Sequence, residues 1–155
     1  YIRFPRKGNP AYYAENETFE IGKGKRLREG SDVTLIASGV EVPQALAAAE
    51  LLAADGISAE VIDMFTVKPI DEALVCASAG KTGAVVTAEN HSVNGGLGSA
   101  VAAVLAEHCP VPMYRIGVRE QFGEVGDAAY LSHKFGLDAQ VIADAARKTV
   151  VRKRV

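Results

Sequence analysis

The sequence predicts an α/β fold, a three-layer sandwich in which a mostly parallel (mixed) sheet of about five strands is flanked by helices. Short apolar segments alternate with longer segments whose apolar residues follow helical periodicity. The short segments are apolar throughout, as in the strands of a parallel sheet that is covered on both faces. The chain has 155 residues, of which 48% are hydrophobic, so it can bury one sizeable core.

The first strand and the first helix adjoin each other. Residues 33–38, VTLIAS, form a continuous apolar segment that predicts a buried strand. Residues 42–56 place their apolar side chains on one helical face, with Pro43 in the first turn and Gly56 at the end. Together they predict one strand followed by one amphipathic helix.

The same alternation continues along the rest of the chain. Further strands are predicted at residues 59–65, 83–88 and 113–118, and helices at residues 71–79, 97–108, 127–135 and 138–148. We expect Gly80 to end the second helix and Asp138 to cap the last one. Residues 1–4, YIRF, also resemble a strand.

The first 30 residues differ in composition from the rest. Residues 6–17, RKGNPAYYAENE, are rich in Gly, Pro, Asn and charged residues and show no periodicity, which predicts an extended connector. The chain begins at Tyr1, not at a methionine, and we therefore expect it to be a piece of a longer protein.

Composition argues against several classes of protein. The net charge of −2 gives no electrostatic footprint for nucleic acid or for an anionic membrane. No run of about 18 apolar residues is present to span a bilayer. Cytoplasm is the expected compartment.

Two cysteines and a basic C-terminus each have a structural interpretation. Cys76 and Cys109 form no close pairing motif, so we expect neither a disulfide framework nor a cysteine-based metal site. Residues 147–154 contain five cations, which suit the negative end of the last helix and a solvated tail better than a binding patch.

A glycine-rich loop, residues 89–98 (ENHSVNGGLG), lies between a predicted strand and a predicted helix. Gly95, Gly96 and Gly98 before a helix N-terminus are able to present backbone N–H groups to a phosphate. With Gly96 and Gly98 as the first two glycines of a dinucleotide fingerprint, however, the third position is Val101, and no P-loop lysine follows. A sharp turn or a close subunit contact is the favoured interpretation.

Glu89 and His91 are two residues apart at the end of a strand, so their side chains point to the same side. They form a candidate general base with its orienting partner, with Ser92 as a nominal nucleophile. Ser92 does not follow the pattern of a nucleophile elbow, and two ligands are too few for a metal site. A hydrogen-bonded structural Glu–His pair is the favoured interpretation.

Arginines near the N-terminus are the remaining candidates for ligand binding. Arg3 and Arg6 flank an apolar strand-like segment, and arginine suits bidentate contact with phosphate, although composition alone favours surface salt bridges. His108 and His133 have no partner in the sequence and are interpreted as helix-surface or helix-end residues.

Three segments together resemble the C-terminal domain of transketolase, or the C-terminal part of the second subunit of a two-subunit transketolase. They are residues 35–71 with the motif DMFTVKPID, residues 85–107 with ENHSVNGGLGSAV, and residues 114–126 with RIGV. The resemblance extends from Tyr1 to about residue 146. It implies that residues 1–30 are a connector and the end of a preceding pyrimidine-binding domain, and that residues 31–155 are the C-terminal domain.

Two related families share this domain and remain alternatives, 1-deoxyxylulose 5-phosphate synthase and the beta chains of 2-oxo acid dehydrogenases. Phe65 and Thr66, which precede Val67-Lys68-Pro69, are closer to the animal-like and two-subunit transketolases than to either alternative. A stand-alone structural and interaction module is an alternative from another class.

The resemblance implies a dimeric thiamine diphosphate enzyme, with a divalent cation such as Mg²⁺, that transfers a two-carbon ketol unit between sugar phosphates. It places the cofactor, metal and catalytic residues in preceding domains or in a partner subunit, and none in this chain. The one substrate contact that it implies here is Arg6, which matches the family arginine that grips the sugar phosphate. Pro5 replaces the serine or threonine that often precedes that arginine.

Overall fold

A computed structural model describes residues 1–5, 8 and 10–154 of the protein. The elements in chain order are β1 (Lys25–Arg28), β2 (Val33–Ala37), α1 (Glu41–Ala54), β3 (Ala59–Asp63), α2 (Glu72–Thr82), β4 (Val85–Ser92), α3 (Leu97–His108), β5 (Met113–Val118), α4 (Ala128–Lys134) and α5 (Ala139–Val151), followed by a 3-10 turn (Arg152–Arg154).

The strands form one five-stranded mixed sheet in the order β1-β3-β2-β4-β5. Strands β2 to β5 are parallel, and β1 pairs antiparallel with β3 at the edge. The predicted fold class is therefore confirmed. Strand β1 was not predicted, because its sequence KRLR is largely charged, as is common in edge strands. Strand β1 lies within residues 1–30, the segment that the sequence analysis assigned to a connector, yet it forms the edge of the sheet.

Helices cover both faces of the sheet, which gives the three layers. Helix α1 packs against α5 on one face, and α2 packs against α3 on the other. Each face has its own apolar cluster: Leu35, Val61 and Ile142 belong to the first, and Ile36, Ile62 and Val101 belong to the second. Strand residues alternate between the two clusters because successive side chains point to opposite faces.

Two local predictions are wrong. Residues 1–4 form no strand, and the apolar side chains of Tyr1, Ile2 and Phe4 are exposed. Helix α2 does not end at Gly80 but continues to Thr82, and Gly83 ends it in the left-handed conformation with φ of 70°. The predicted cap of the last helix is confirmed, since the Asp138 carboxylate accepts a hydrogen bond from Val141 N at 3.0 Å.

The expectation that Cys76 and Cys109 stay unpaired is also wrong. The structure joins them in a disulfide with Cα atoms 5.7 Å apart. They are 33 residues apart in sequence, so no spacing motif marks them. The packing of α2 beside the end of α3 brings them together.

The chain order creates a topological switch point between β2 and β4. After β2 the chain crosses to β3 on one side, and after β3 it crosses back to β4 on the other side. Ligands of open α/β sheets bind outside the carboxyl ends of the strands at such a point. This carboxyl edge is therefore where a functional site is expected. None of the helices in the described part of the chain is long and apolar enough to cross a membrane.

Candidate functional site at the carboxyl edge of the sheet

The N-terminus of helix α3 is capped by a carboxylate of the preceding strand. Oε2 of Glu89 accepts a hydrogen bond from Leu97 N at 2.7 Å, and Oε1 accepts one from Gly98 N at 2.7 Å. Glu89 is only 3% exposed. A carboxylate is favoured at this position because the N-terminal amides carry partial positive charge. The carboxylate also occupies the backbone amides that would otherwise bind a phosphate.

The glycines of residues 89–98 fit this cap. A Cβ on Gly96 would lie 2.0 Å from Oε2 of Glu89, so only glycine leaves room for the carboxylate. Gly95 has φ of 84°, in the left-handed region, where the chain turns into the helix. The loop is therefore a tight turn built around an internal anion, as the structural interpretation of the sequence favoured.

His91 and Ser92 do not form a catalytic pair with Glu89. Nδ1 of His91 lies 3.9 Å from Oε2 of Glu89, which is too far for a hydrogen bond, so the predicted Glu–His hydrogen bond is wrong. Nδ1 instead faces the carbonyl oxygen of Ser92 at 2.9 Å. The Ser92 hydroxyl accepts a hydrogen bond from Asn94 N at 3.1 Å. Both oxygens of Glu89 are engaged by helix α3, so the carboxylate does not orient the imidazole.

The two N-terminal arginines differ in what the structure shows. Nη1 of Arg3 donates to the carbonyl oxygen of Asn90 at 3.3 Å, which brings the N-terminal segment to the end of β4. This partner is a carbonyl and not the carboxylate of a salt bridge. Arg6, the predicted phosphate ligand, lies outside the described residues.

A buried carboxylate at the end of β3 was missed by the sequence analysis. Oδ2 of Asp63 accepts a hydrogen bond from the Tyr13 hydroxyl at 2.7 Å. Asp63 is 4% exposed, and burial raises its pKa above the usual value for aspartate. Burial and the bond to Asp63 likewise raise the pKa of Tyr13. The available signal was an acidic residue closing the otherwise apolar segment AEVID.

A second missed carboxylate lies where α1 begins, next to the switch point. Glu41 is 3% exposed, and its Oε2 is buried without a hydrogen-bond partner among the described residues. Burial, followed by the charge of Asp138, raises the pKa of Glu41 to about 7. Two buried carboxylates, Glu41 and Glu89, thus flank the position where related architectures often hold phosphate.

The other sequence candidates have structural partners. Nδ1 of His133 lies 3.1 Å from Oδ2 of Asp138, and Nε2 of His108 lies 3.8 Å from Oε2 of Glu107. Residues 1–5, 8 and 10–154 contain no group of three or more His, Cys, Asp or Glu that could hold a metal ion.

Several cations of the basic C-terminus complete the fold. Nζ of Lys153 donates to the carbonyl oxygens of Asp32 at 2.6 Å and of Thr82 at 2.8 Å. Arg147 bonds to Asp55 and Asp144, and Arg152 donates to the carbonyl oxygen of Met113. These cations therefore bond to the fold, whereas the sequence analysis expected a solvated tail.

Comparison with known proteins gives a consistent result. The family model for the transketolase C-terminal domain matches residues 22–142. The chain is 56% identical over 153 residues to a 6-deoxy-6-sulfo-D-fructose transketolase subunit of Clostridium sp. (strain MSTE9), covering 99% of this chain and 48% of that protein. It is 44% identical over 132 residues to a 1-deoxy-D-xylulose-5-phosphate synthase of Syntrophotalea carbinolica, covering 84% of this chain and 21% of that protein.

A solved structure supports the same relation. The chain superposes with a TM-score of 0.90 on a split gene transketolase described as an inactive beta4 tetramer, at 48% sequence identity. The alignment covers 96% of this chain and 48% of that chain. The chain thus spans about half the length of two of these relatives, and less of the synthase.

Proposed function

This chain belongs to the transketolase C-terminal domain family, and from that membership we propose that it is the C-terminal part of a transketolase. The complete enzyme transfers a two-carbon ketol unit from a ketose phosphate to an aldose phosphate, works as a homodimer and resides in the cytoplasm. The match over residues 22–142 carries the proposal, and the similarity to a split gene transketolase supports it. Within this proposal, residues 31–155 are the C-terminal domain and residues 1–30 connect it to a preceding pyrimidine-binding domain.

We propose that thiamine diphosphate and a divalent cation are held by the preceding domains or by a partner subunit. The N-terminus of α3 does not fit a diphosphate, because Glu89 occupies the amides of Leu97 and Gly98. Glu41 adds a second buried carboxylate close to the switch point, which disfavours another anion. Within this proposal the domain supports dimer assembly, and the cofactor chemistry takes place in the other domains.

Activity of the complete enzyme tests the proposal. This chain, joined with the domains or subunit that complete it, is expected to convert xylulose 5-phosphate and ribose 5-phosphate only when thiamine diphosphate is present. Condensation of pyruvate with glyceraldehyde 3-phosphate would instead assign the chain to the synthase, a candidate that the 44% identity to such an enzyme favours. Tight binding of thiamine diphosphate to this chain alone, measured by calorimetry, would contradict the location proposed for the cofactor.

Within this function, we propose that Arg6 binds the phosphate group of the sugar substrates. A guanidinium forms a bidentate contact with phosphate and orients the sugar to which it is attached. In the complete enzyme, Arg6→Ala is expected to raise the KM for phosphorylated sugars by roughly tenfold to a hundredfold, the scale of a charged hydrogen bond.

The matched control for this measurement is Lys23→Ala, which removes an exposed cation from the same N-terminal region. It is expected to leave the KM unchanged, because a solvated lysine contributes little. Arg6→Lys keeps the charge but loses the planar fork and is expected to give an intermediate KM. A KM unaltered by Arg6→Ala would remove Arg6 from the substrate site.

A further inference from the structure

The disulfide between Cys76 and Cys109 lies on the face of the sheet that α2 and α3 cover. Cys76 is within α2, and Cys109 directly follows the last residue of α3. Both side chains pack against the apolar cluster of this face, and both residues are only partly buried. The bond therefore lies at the border between the core and solvent, where we expect a small thiol in solution to reach it.

The packing of the two helices places the cysteines together without help from the bond. Their Cα atoms are 5.7 Å apart, within the range that a disulfide spans without movement of the backbone. The buried side chains of Val75 in α2 and of Val101 and Leu105 in α3 belong to one apolar cluster, which contains no sulfur of this bond. We therefore expect the same placement of the cysteines in the reduced protein.

The position of the disulfide argues for a redox-sensing role and against a catalytic one. Helix α3 begins at the carboxyl edge of the sheet, and its 12 residues place Cys109 about 18 Å from that edge. In the cytoplasm, thiols are kept reduced, and the disulfides that do form there are usually transient and either catalytic or redox-sensing. A partly exposed disulfide far from the carboxyl edge fits the redox-sensing class.

We propose that Cys76 and Cys109 form a reversible thiol–disulfide exchange site, which glutathione opens and glutathione disulfide closes. In the closed form the bond joins α2 to the end of α3, and in the open form only non-covalent packing holds them. This inference rests on the cytoplasmic location within the proposed function, because the glutathione pool of that compartment is reducing.

Opening and closing are balanced two-electron reactions. A glutathione thiolate attacks Sγ of one cysteine, and Sγ of the other leaves as a thiolate and takes up a proton. A second glutathione thiolate attacks the glutathione sulfur of the mixed disulfide, so the first cysteine leaves as a thiolate and is protonated in turn. The protein disulfide thereby gains two electrons, and two glutathione molecules lose them and form glutathione disulfide. Closing is the reverse reaction.

The closed bond is expected to slow the local opening of the two helices that it joins. It connects residues that are 33 positions apart in sequence and so removes conformations from any state in which α2 separates from α3. Amide hydrogen exchange of α2 is therefore expected to be roughly tenfold to a hundredfold slower in the closed form. Helix α5 packs on the opposite face with α1, and its exchange is expected to change by less than about twofold.

A thiol titration of the complete enzyme tests reversibility. The native enzyme is equilibrated in buffers with increasing ratios of reduced to oxidised glutathione, alkylated, and digested with trypsin for mass spectrometry. Lys81 lies between the two cysteines, so the closed form gives two linked peptides and the open form gives two alkylated ones. The linked fraction is expected to fall from nearly all to nearly none. Linked peptides at every ratio, or alkylated peptides at every ratio, would overturn the inference.

Amide hydrogen exchange of the complete enzyme tests the structural effect, with Cys76→Ser as the matched control. Wild type is expected to show slower exchange of α2 in oxidised than in reduced glutathione. Cys76→Ser cannot form the bond, so its α2 is expected to exchange at the same rate in both buffers. Cys109→Ala serves the same purpose if Cys76→Ser does not fold. An equal response of wild type and variant to the two buffers would contradict the proposed site.

Neither measurement depends on ketol transfer, so the proposed function and the exchange site fail independently. If the complete enzyme transfers no ketol units while the titration and the exchange rates respond as expected, the proposed function is wrong and the exchange site stands. If the enzyme is active and the bond does not respond to glutathione, the exchange site is wrong and the proposed function stands.

Discussion

Replacing Glu89 by alanine is expected to lower the free energy of unfolding by about 3 kcal/mol, which is large for a single side chain. The substitution removes the carboxylate that accepts two hydrogen bonds of 2.7 Å, one from the amide of Leu97 and one from the amide of Gly98. Without the carboxylate, the two amide N–H groups lose their acceptor at a buried helix N-terminus. Buried donors without an acceptor carry a desolvation penalty. Urea denaturation followed by far-UV circular dichroism measures the loss.

Glu107→Ala is the matched control for this prediction. Glu107 lies on the same helix α3, but its side chain is 72% exposed, so its removal is expected to change stability by less than about 0.5 kcal/mol. Glu89→Gln keeps one acceptor oxygen, so its free energy of unfolding is expected to lie between those of the wild type and Glu89→Ala. A loss below about 1 kcal/mol in Glu89→Ala would contradict the double cap, because that is the scale of one ordinary N-cap.

Replacing Glu41 by glutamine is expected to stabilise the protein by about 2 to 3 kcal/mol at pH 8 and by less than about 1 kcal/mol at pH 5. Burial and the charge of Asp138 raise the pKa of Glu41 to about 7, from 4.5 in the absence of these influences. Between these values the folded state holds a proton that the unfolded state has released. The contribution of Glu41 to wild-type stability therefore falls as pH rises from about 4.5 to about 7 and levels off above that.

Urea denaturation of both proteins between pH 5 and pH 8 measures this effect. The difference in the free energy of unfolding between the variant and the wild type reports on Glu41 alone. Other groups with a raised pKa, such as Asp63, contribute equally to the stability of both proteins. Glu107→Gln is again the control, with a difference expected to be small at every pH. A difference between Glu41→Gln and wild type that stays constant with pH would show that the Glu41 carboxyl does not titrate in this window.

The sequence predicted the architecture well where the local signal and the packing agree. Helix α3 and strand β5 have the predicted bounds. The helix is marked by a stripe of apolar residues at helical spacing, and the strand is marked by a short apolar segment. Helix α2 shows the limit of this approach, because Gly80 and Gly83 are both plausible helix ends. Only Gly83 takes the left-handed conformation, and a linear pattern does not distinguish the two.

Features that depend on tertiary packing were not predictable from the linear pattern. The charged strand β1 is stabilised by its partner β3, and its own composition gives no strand signal. The Cys76–Cys109 disulfide depends on two helices lying side by side.

The candidate site shows the same division. The sequence drew attention to Glu89 and the glycine-rich loop, but the side chain turns to amides eight and nine residues away, which depends on how β4 leads into α3. Arg6 comes from a family resemblance and stays a prediction. Tyr13 and Asp63 are 50 residues apart, so only the fold connects them.

The bonds from Lys153 to the carbonyl oxygens of Asp32 and Thr82 have a practical consequence for protein engineering. They fasten the last turn of the described chain across the start of β2 and the end of α2. A fluorophore or affinity tag attached next to Lys153 would displace its side chain. The carbonyl groups of Asp32 and Thr82 would then lose their donor and have to be hydrated. Helix α4, which has no buried residues, is the better place for a label.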